Sequence, residues 1–186
     1  MKKWQKSEQK LAANHGWRAA PGHRICVLDR GDLQFEFPQG WHLTPEEGAI
    51  KVTDKPPPND DCVLRVSVLR FGPLTAGHPS LLMLLQGAFV EAGHLLDASD
   101  VQRVDREDIE ILWGEYREID SKENREAVWR IAMSHSISPT RNLYGFLTFG
   151  FWPEDTQKAT AFWVHALKTM IMDRPVADPA RGPQFH

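Results

Sequence analysis

Residues 142–152 read Asn142-Leu143-Tyr144-Gly145-Phe146-Leu147-Thr148-Phe149-Gly150-Phe151-Trp152. In an extended chain Leu143, Leu147, Phe149 and Phe151 point to one side, and Tyr144, Phe146 and Trp152 to the other. A strand with one wet face would keep one of these sets polar. Apolar groups on both sides call for cover on both faces. The stretch therefore predicts an inner strand of a sheet that is packed above and below.

Two more long strand patterns precede it, about 109–119 and 126–137, joined by short connections at 120–125 and 138–141. Such short links predict antiparallel hairpins. Closing the second hairpin sets Trp129 opposite Gly150 and His135 opposite Tyr144. Closing the first sets Glu115 opposite Arg130 as a cross-strand ion pair and brings Trp129 near Gly114 or Tyr116. The indole of Trp129 then lies over glycine, which has no side chain to obstruct it. Residues 62–71 form a further β-branched, apolar strand. Shorter strands are expected at 24–28, at 33–37 (Leu33, Phe35 and Phe37 alternating with polar residues) and at 50–53. Lys55-Pro56-Pro57-Pro58-Asn59-Asp60 is loop, because proline has no N–H for a sheet interior.

Two helices complete the pattern. Pro79 suits a first turn, and Leu81, Leu85, Ala88, Phe89 and Ala92 share one stripe of a helix running to about His94. A second helix over about 154–172 carries Ala159, Phe162, Trp163, Ala166, Leu167 and Met170 on a broad apolar face. Strands, helix, meander, helix predicts an α+β domain: an antiparallel sheet sandwiched between helices, α/β/α. Residues 23–172 form this single domain. Residues 1–22 are a basic segment of local charge +4, in which 2–13 are expected as a short helix. Residues 173–186, with three prolines and no periodicity, are expected as a disordered tail.

With 186 residues, 41% hydrophobic and 25% charged, the chain is of ordinary globular composition and needs no disulfide or metal to hold a core. A net charge of −3 argues against a nucleic-acid binder. No apolar run approaches a membrane span. No apolar leader core follows Met1–Lys6, so a cytoplasmic location is the expectation. Cys26 and Cys62 have no metal or CxxC spacing and are expected as buried free thiols. No two of the eight histidines stand three or four residues apart, so no metal site is expected, and none could come from one helical turn. There is no phosphate-binding glycine loop, no Gly-x-Ser-x-Gly elbow and no His-Glu-x-x-His. Ser134 and Ser136 flank His135 in one strand and so point away from it. The chain is expected not to be an enzyme and to carry no cofactor.

Phe35-Glu36-Phe37-Pro38-Gln39-Gly40-Trp41 resembles the Phe-x-Phe/Tyr-Pro-x-Gly-Trp opening of PsbP-like proteins, and the element order of residues 33–172 is similar to theirs. That superfamily includes the photosystem extrinsic protein P, a Mog-type Ran-release factor, DcrB-type lipoproteins and chaperones for secreted effectors. The resemblance implies an α/β/α fold, a structural role for these aromatics, and binding of other proteins.

The function expected is thus a non-catalytic protein-binding module, adaptor or chaperone-like. The alternative is a small-molecule carrier with a pocket between sheet and helix. Residues 97–123 hold ten acids against four bases, a net of −6. This makes Glu107, Asp108, Glu110 and Glu118 candidates for docking an unidentified protein partner with a basic surface. Trp4 and Trp17, in a polar N-terminal stretch, suggest that it packs on something: this chain's own body, or a protein partner or second copy in a homodimer, which makes both further partner-binding candidates. For a ligand at the sheet, the polar candidates are Glu115 with Arg130 and His135 with Tyr144. Their structural alternatives are a fixed ion pair and a buried histidine bonded to a phenol.

Overall fold

The computed structural model describes residues 5–7, 10–71, 79–137 and 141–183. Its strands are β1 (His23–Leu28), β2 (Leu33–Pro38), β3 (His42–Glu46), β4 (Ala49–Thr53), β5 (Cys62–Arg70), β6 (Gln102–Val104), β7 (Ile109–Asp120), β8 (Arg125–Ser136), β9 (Leu143–Phe151) and β10 (Ile171–Met172). Its helices are α1 (Leu81–Glu91) and α2 (Thr156–Thr169). Seven strands form one antiparallel sheet in the order β3-β4-β5-β9-β8-β7-β6. The long inner strand is β9, between β5 and β8, as its two-sided apolar pattern requires. The hairpin β1–β2 with β10 makes a separate three-stranded sheet, which the sequence pattern did not separate from the main one.

The registers follow the expectation. Trp129 pairs with Gly150, His135 with Tyr144, and Glu115 with Arg130, with Tyr116 opposite Trp129. A Cβ on Gly150 would sit 2.8 Å from the Trp129 ring, so the indole occupies the space that any other residue would fill.

One face of the large sheet is closed. Phe162 and Trp163 of α2 pack on Phe149, whose ring lies parallel to that of Trp163 with centroids 5.7 Å apart. The small sheet extends this cover: Leu33 and Met172 approach Gly145. The opposite face is covered by α1, which lies over β7 and β8 through Leu81, Leu85 and Phe89 against Leu112, Ile131, Met133 and Tyr144. Beyond α1, Phe146 and Thr148 of β9 and Val63, Arg65, Ser67 and Leu69 of β5 are only half-buried.

Both helices are shorter than expected. α1 stops at Glu91, and Gly93 follows in the left-handed region, φ +82°, where a side chain is strained. α2 stops at Thr169 instead of running to 172. The Arg106 guanidinium donates to the carbonyls of Leu167, Lys168 and Met170 at 3.4, 2.8 and 2.6 Å, satisfying the helix end. The chain then pairs with β2 as β10.

The termini differ most from expectation. Among the described residues of 2–13 there is no helix. The segment expected to be a disordered tail is held against the β1–β2 turn. The amides of Asp173, Arg174 and Val176 donate to the carbonyls of Asp32, Gly31 and Arg30 at 3.1, 3.1 and 2.8 Å, and Val176 is buried. Unpaired strand-end carbonyls in the turn accept these bonds, a long-range demand that local composition does not show.

Asp54 ties the β4–β5 loop to α2. Burial alone would raise its pKa, but Lys158 at 2.8 Å and the amides of Asp61 and Cys62 outweigh it and hold the carboxyl below its usual range. A folded-state pKa below the unfolded value stabilises above the unfolded pKa, and the gain is lost as pH falls through the folded one. Urea melts of the wild type should therefore weaken below about pH 4, and less steeply in Asp54→Asn. Trp163→Ala, at a fully enclosed site, should cost about 3–5 kcal/mol. Trp129→Ala, at a half-buried one, should cost less, and equal losses would contradict the one-sided closure.

Candidate functional site

The residues marked by sequence fall in four places. Glu115 and Arg130 meet beneath α2. Arg130 Nε donates to Glu115 at 2.8 Å and its terminal nitrogen to Thr160 Oγ1 at 3.0 Å. The guanidinium lies over Phe151 and Trp113, 5.0 and 5.4 Å from the ring centroids. Arg130 is buried, so this pair fastens α2 to the sheet and presents no open anchor.

His135 and Tyr144 face each other with ring centroids 5.4 Å apart. The Tyr144 hydroxyl donates to the Pro79 carbonyl at 3.4 Å, which ties β9 to the entry of α1. The expected pairing of the histidine with the phenol is thus a ring contact, with the hydroxyl spent on backbone.

Part of the acidic run is paired within its own chain. Asp108 takes a two-pronged bond from Arg106, at 2.8 and 2.5 Å. Glu110 pairs with Arg103 at 3.0 Å and Glu118 with His94 at 3.6 Å. Glu107 is exposed. Glu107, Glu110 and His135 border one open groove of about 590 Å³ at the β6–β7 edge, with Arg103, Arg106 and Ile137. A second groove of about 350 Å³ lies beside Trp41, Arg24 and Pro57. Both are open to solvent, and neither is the enclosed apolar chamber between sheet and helix that a carrier needs. Phe149, Phe162 and Trp163 fill the space beneath α2.

Trp17 packs on this chain's own C-terminal segment. Its Nε1 donates to the Pro179 carbonyl at 2.8 Å, and a Cβ on Gly182 would sit 2.7 Å from its ring. Trp4 lies outside the described residues.

The surface that sequence reasoning missed is the outer side of α1. Leu81, Leu85 and Phe89 face the sheet, yet the opposite side is apolar as well. Met83 is 71% exposed and Val90 60%, with exposed Gly87 between them, and Leu95 just beyond is 90% exposed. No charged residue occurs from Leu81 to Val90. A surface helix ordinarily carries charge on its outer face, and one that is apolar all round is ordinarily buried. The signal lies in Leu81-Leu82-Met83-Leu84-Leu85-Gln86-Gly87-Ala88-Phe89-Val90, where apolar residues fall outside the inner stripe as well as on it. Acids border the far end: Glu91, Asp97 and Asp100 are exposed, and Glu118 is joined through His94, whose ring lies tilted against Tyr116 with centroids 4.0 Å apart. Burial, then the Glu118 charge, pushes the Tyr116 phenol up to about 12.

The Alr1449 family profile matches residues 24–174. The chain belongs to the Alr1449 family. It is 31% identical over 184 residues to an uncharacterized protein, alr1449, of Nostoc sp. (strain PCC 7120), covering 98% of this chain and 94% of that relative. The fold is PsbP-like. It matches the cyanobacterial PsbP (CyanoP) of Synechocystis sp. PCC 6803 with a TM-score of 0.55 at 11% identity, over 84% of this chain and 96% of that one. It matches LpqN of Mycobacterium tuberculosis, described as involved in cell envelope biogenesis, with a TM-score of 0.51 at 15% identity, over 82% and 92%. Among the described residues of this Alr1449-family chain, no helix is long and apolar enough to cross a membrane.

The N-terminal segment adds to the body through backbone as well as Trp17. The Ala12 amide donates to Ala180 at 2.9 Å and that of Gly16 to Arg181 at 2.6 Å. A Cβ on Gly16 would lie 2.0 Å from the Pro183 carbonyl oxygen. Gly16→Val should therefore detach residues 10–20 and speed their removal in limited proteolysis, with a lowered melting temperature. Unchanged proteolysis and melting would mean that the contact does not hold in solution.

Proposed function

We propose that this Alr1449-family protein is a non-catalytic binding module, adaptor or chaperone-like, that docks a protein partner across the outer face of α1. The observation that carries the reading is Gly87. A glycine inside a helix costs about 0.8–1 kcal/mol relative to alanine. Nothing among the described residues requires one here, since a Cβ on Gly87 would meet none of their atoms within 4 Å. It sits between Met83 and Val90 on a face without charge, where a missing side chain lets another backbone approach closely. The acids at the end of the face favour a partner with an apolar centre and a basic flank, whose association such charges speed and orient.

Two further observations support binding over catalysis. Burial pushes both the Cys26 and Cys62 thiols up to about 12, so neither is a thiolate nucleophile at neutral pH. The grooves bordered by charged side chains are open, without the water exclusion that catalysis exploits. The PsbP-like resemblance points the same way, as an analogy of fold.

A photo-crosslinker at Met83 should capture a defined partner in cells, and one at Glu126, on β8, should not. Gly87→Leu should abolish that capture while the isolated protein stays folded. Gly87→Ala should raise the unfolding free energy by up to about 1 kcal/mol and weaken capture. Capture of a second copy of this chain would make the partner itself. Equal crosslinking at both positions, or capture indifferent to Gly87→Leu, would overturn the reading.

A further inference from the structure

On the side of the molecule away from α1, three elements bring two imidazoles and a carboxylate together. His23 opens β1, Glu36 lies in β2, and His165 projects from α2. A ligand atom from each lies within 4.8 Å of the others. We infer that His23, Glu36 and His165 bind a divalent transition-metal ion of the zinc type. This inference is independent of the docking face.

The donor set suits such an ion. Neutral imidazole nitrogens and a carboxylate oxygen are ligands for zinc and its neighbours, held at about 2.0–2.2 Å. Three protein ligands leave a position for water.

The surrounding bonds orient the donors as the outer shell of a metal site does. His23 Nδ1 lies 3.1 Å from the Pro21 carbonyl oxygen. A carbonyl only accepts, so Nδ1 carries the proton, and Nε2 of the neutral ring keeps its lone pair. Glu36 is fixed at both ends. Its Oε2 accepts from the Ala20 amide at 3.1 Å, and its own amide donates to Thr169 Oγ1 at 3.1 Å. His165 Nε2 stands 2.9 Å from that same Oε2, and the Glu36 side chain is only 13% exposed.

The His23 and His165 rings stack with centroids 4.0 Å apart and planes 25° apart. An ion in the plane of both rings requires one of them to turn. The His165 side chain, 27% exposed, has room to do so. In the metal-free chain His165 Nε2–H donates to the carboxylate. For that nitrogen to coordinate, the neutral ring carries its proton on Nδ1 instead and offers the Nε2 lone pair to the ion. A bound ion would clip the end of α2 to the β1–β2 hairpin.

The test is isothermal titration of the 186-residue chain with Zn²⁺. Binding of a single ion per chain is expected, with a raised melting temperature. His23→Gln and His165→Gln should each weaken it at least about tenfold. In the unsubstituted protein, Co²⁺ should shift the proton resonances of His23 and His165 before those of the other histidines, a readout that needs no variant to fold. Absence of binding, binding unmoved by both variants, or Co²⁺ shifts centred on other histidines would each overturn the inference.

Discussion

Phe149 lies flat against Trp163, and that contact places α2 on the middle of the sheet. The two ring planes are 4° apart, and Phe162 closes on Phe149 from the side. β9 is apolar on both faces, so it must be inner, and the first face to close is the one α2 covers. Arg130, buried beneath the helix with Glu115 and Thr160, fixes how far along the sheet α2 lies. From there the chain leaves at Thr169 into β10, which recruits the β1–β2 hairpin as a second sheet. The meeting of His165 with Glu36 and His23 depends on the same placement.

The other face is closed only in part. α1 spans β7 and β8, and the β5–β9 side remains half-buried. A helix of eleven residues is short for the width it faces. Its inner residues serve the core, and its outer ones Met83 and Val90 are exposed among the described residues. A self-sufficient domain would place charge at Met83, Gly87 and Val90. The lack of it, together with a helix glycine that no described residue crowds, separates this face from the rest of the surface.

Much of the fold was legible because it rests on local periodicity. Alternation in 142–152 and the short links between long strands were enough to set Glu115 against Arg130 and Trp129 against Gly150. Pairing that depends on distant segments was not legible. The tail follows the β1–β2 turn over residues 173–176 because backbone groups there need partners, and no composition of the tail reports that need. The separate small sheet arises because β2 pairs with β10, more than 130 residues further on. Within the acidic run, which base meets which acid was not legible either: Arg103 is spent on Glu110 and Arg106 on Asp108 in space. The histidine cluster draws on three separated elements, so no spacing rule along the sequence reveals it.

The central claim is that the outer face of α1 is bare in the isolated chain and covered in the cell. Methionine oxidation reads this directly, because peroxide reaches exposed thioethers far faster than buried ones. Met83 is exposed, while Met133, Met170 and Met172 are buried and serve as internal references. The account predicts rapid oxidation of Met83 in the purified protein and marked protection of Met83 in intact cells. Equal oxidation of Met83 in both settings, with the buried methionines protected throughout, would contradict it.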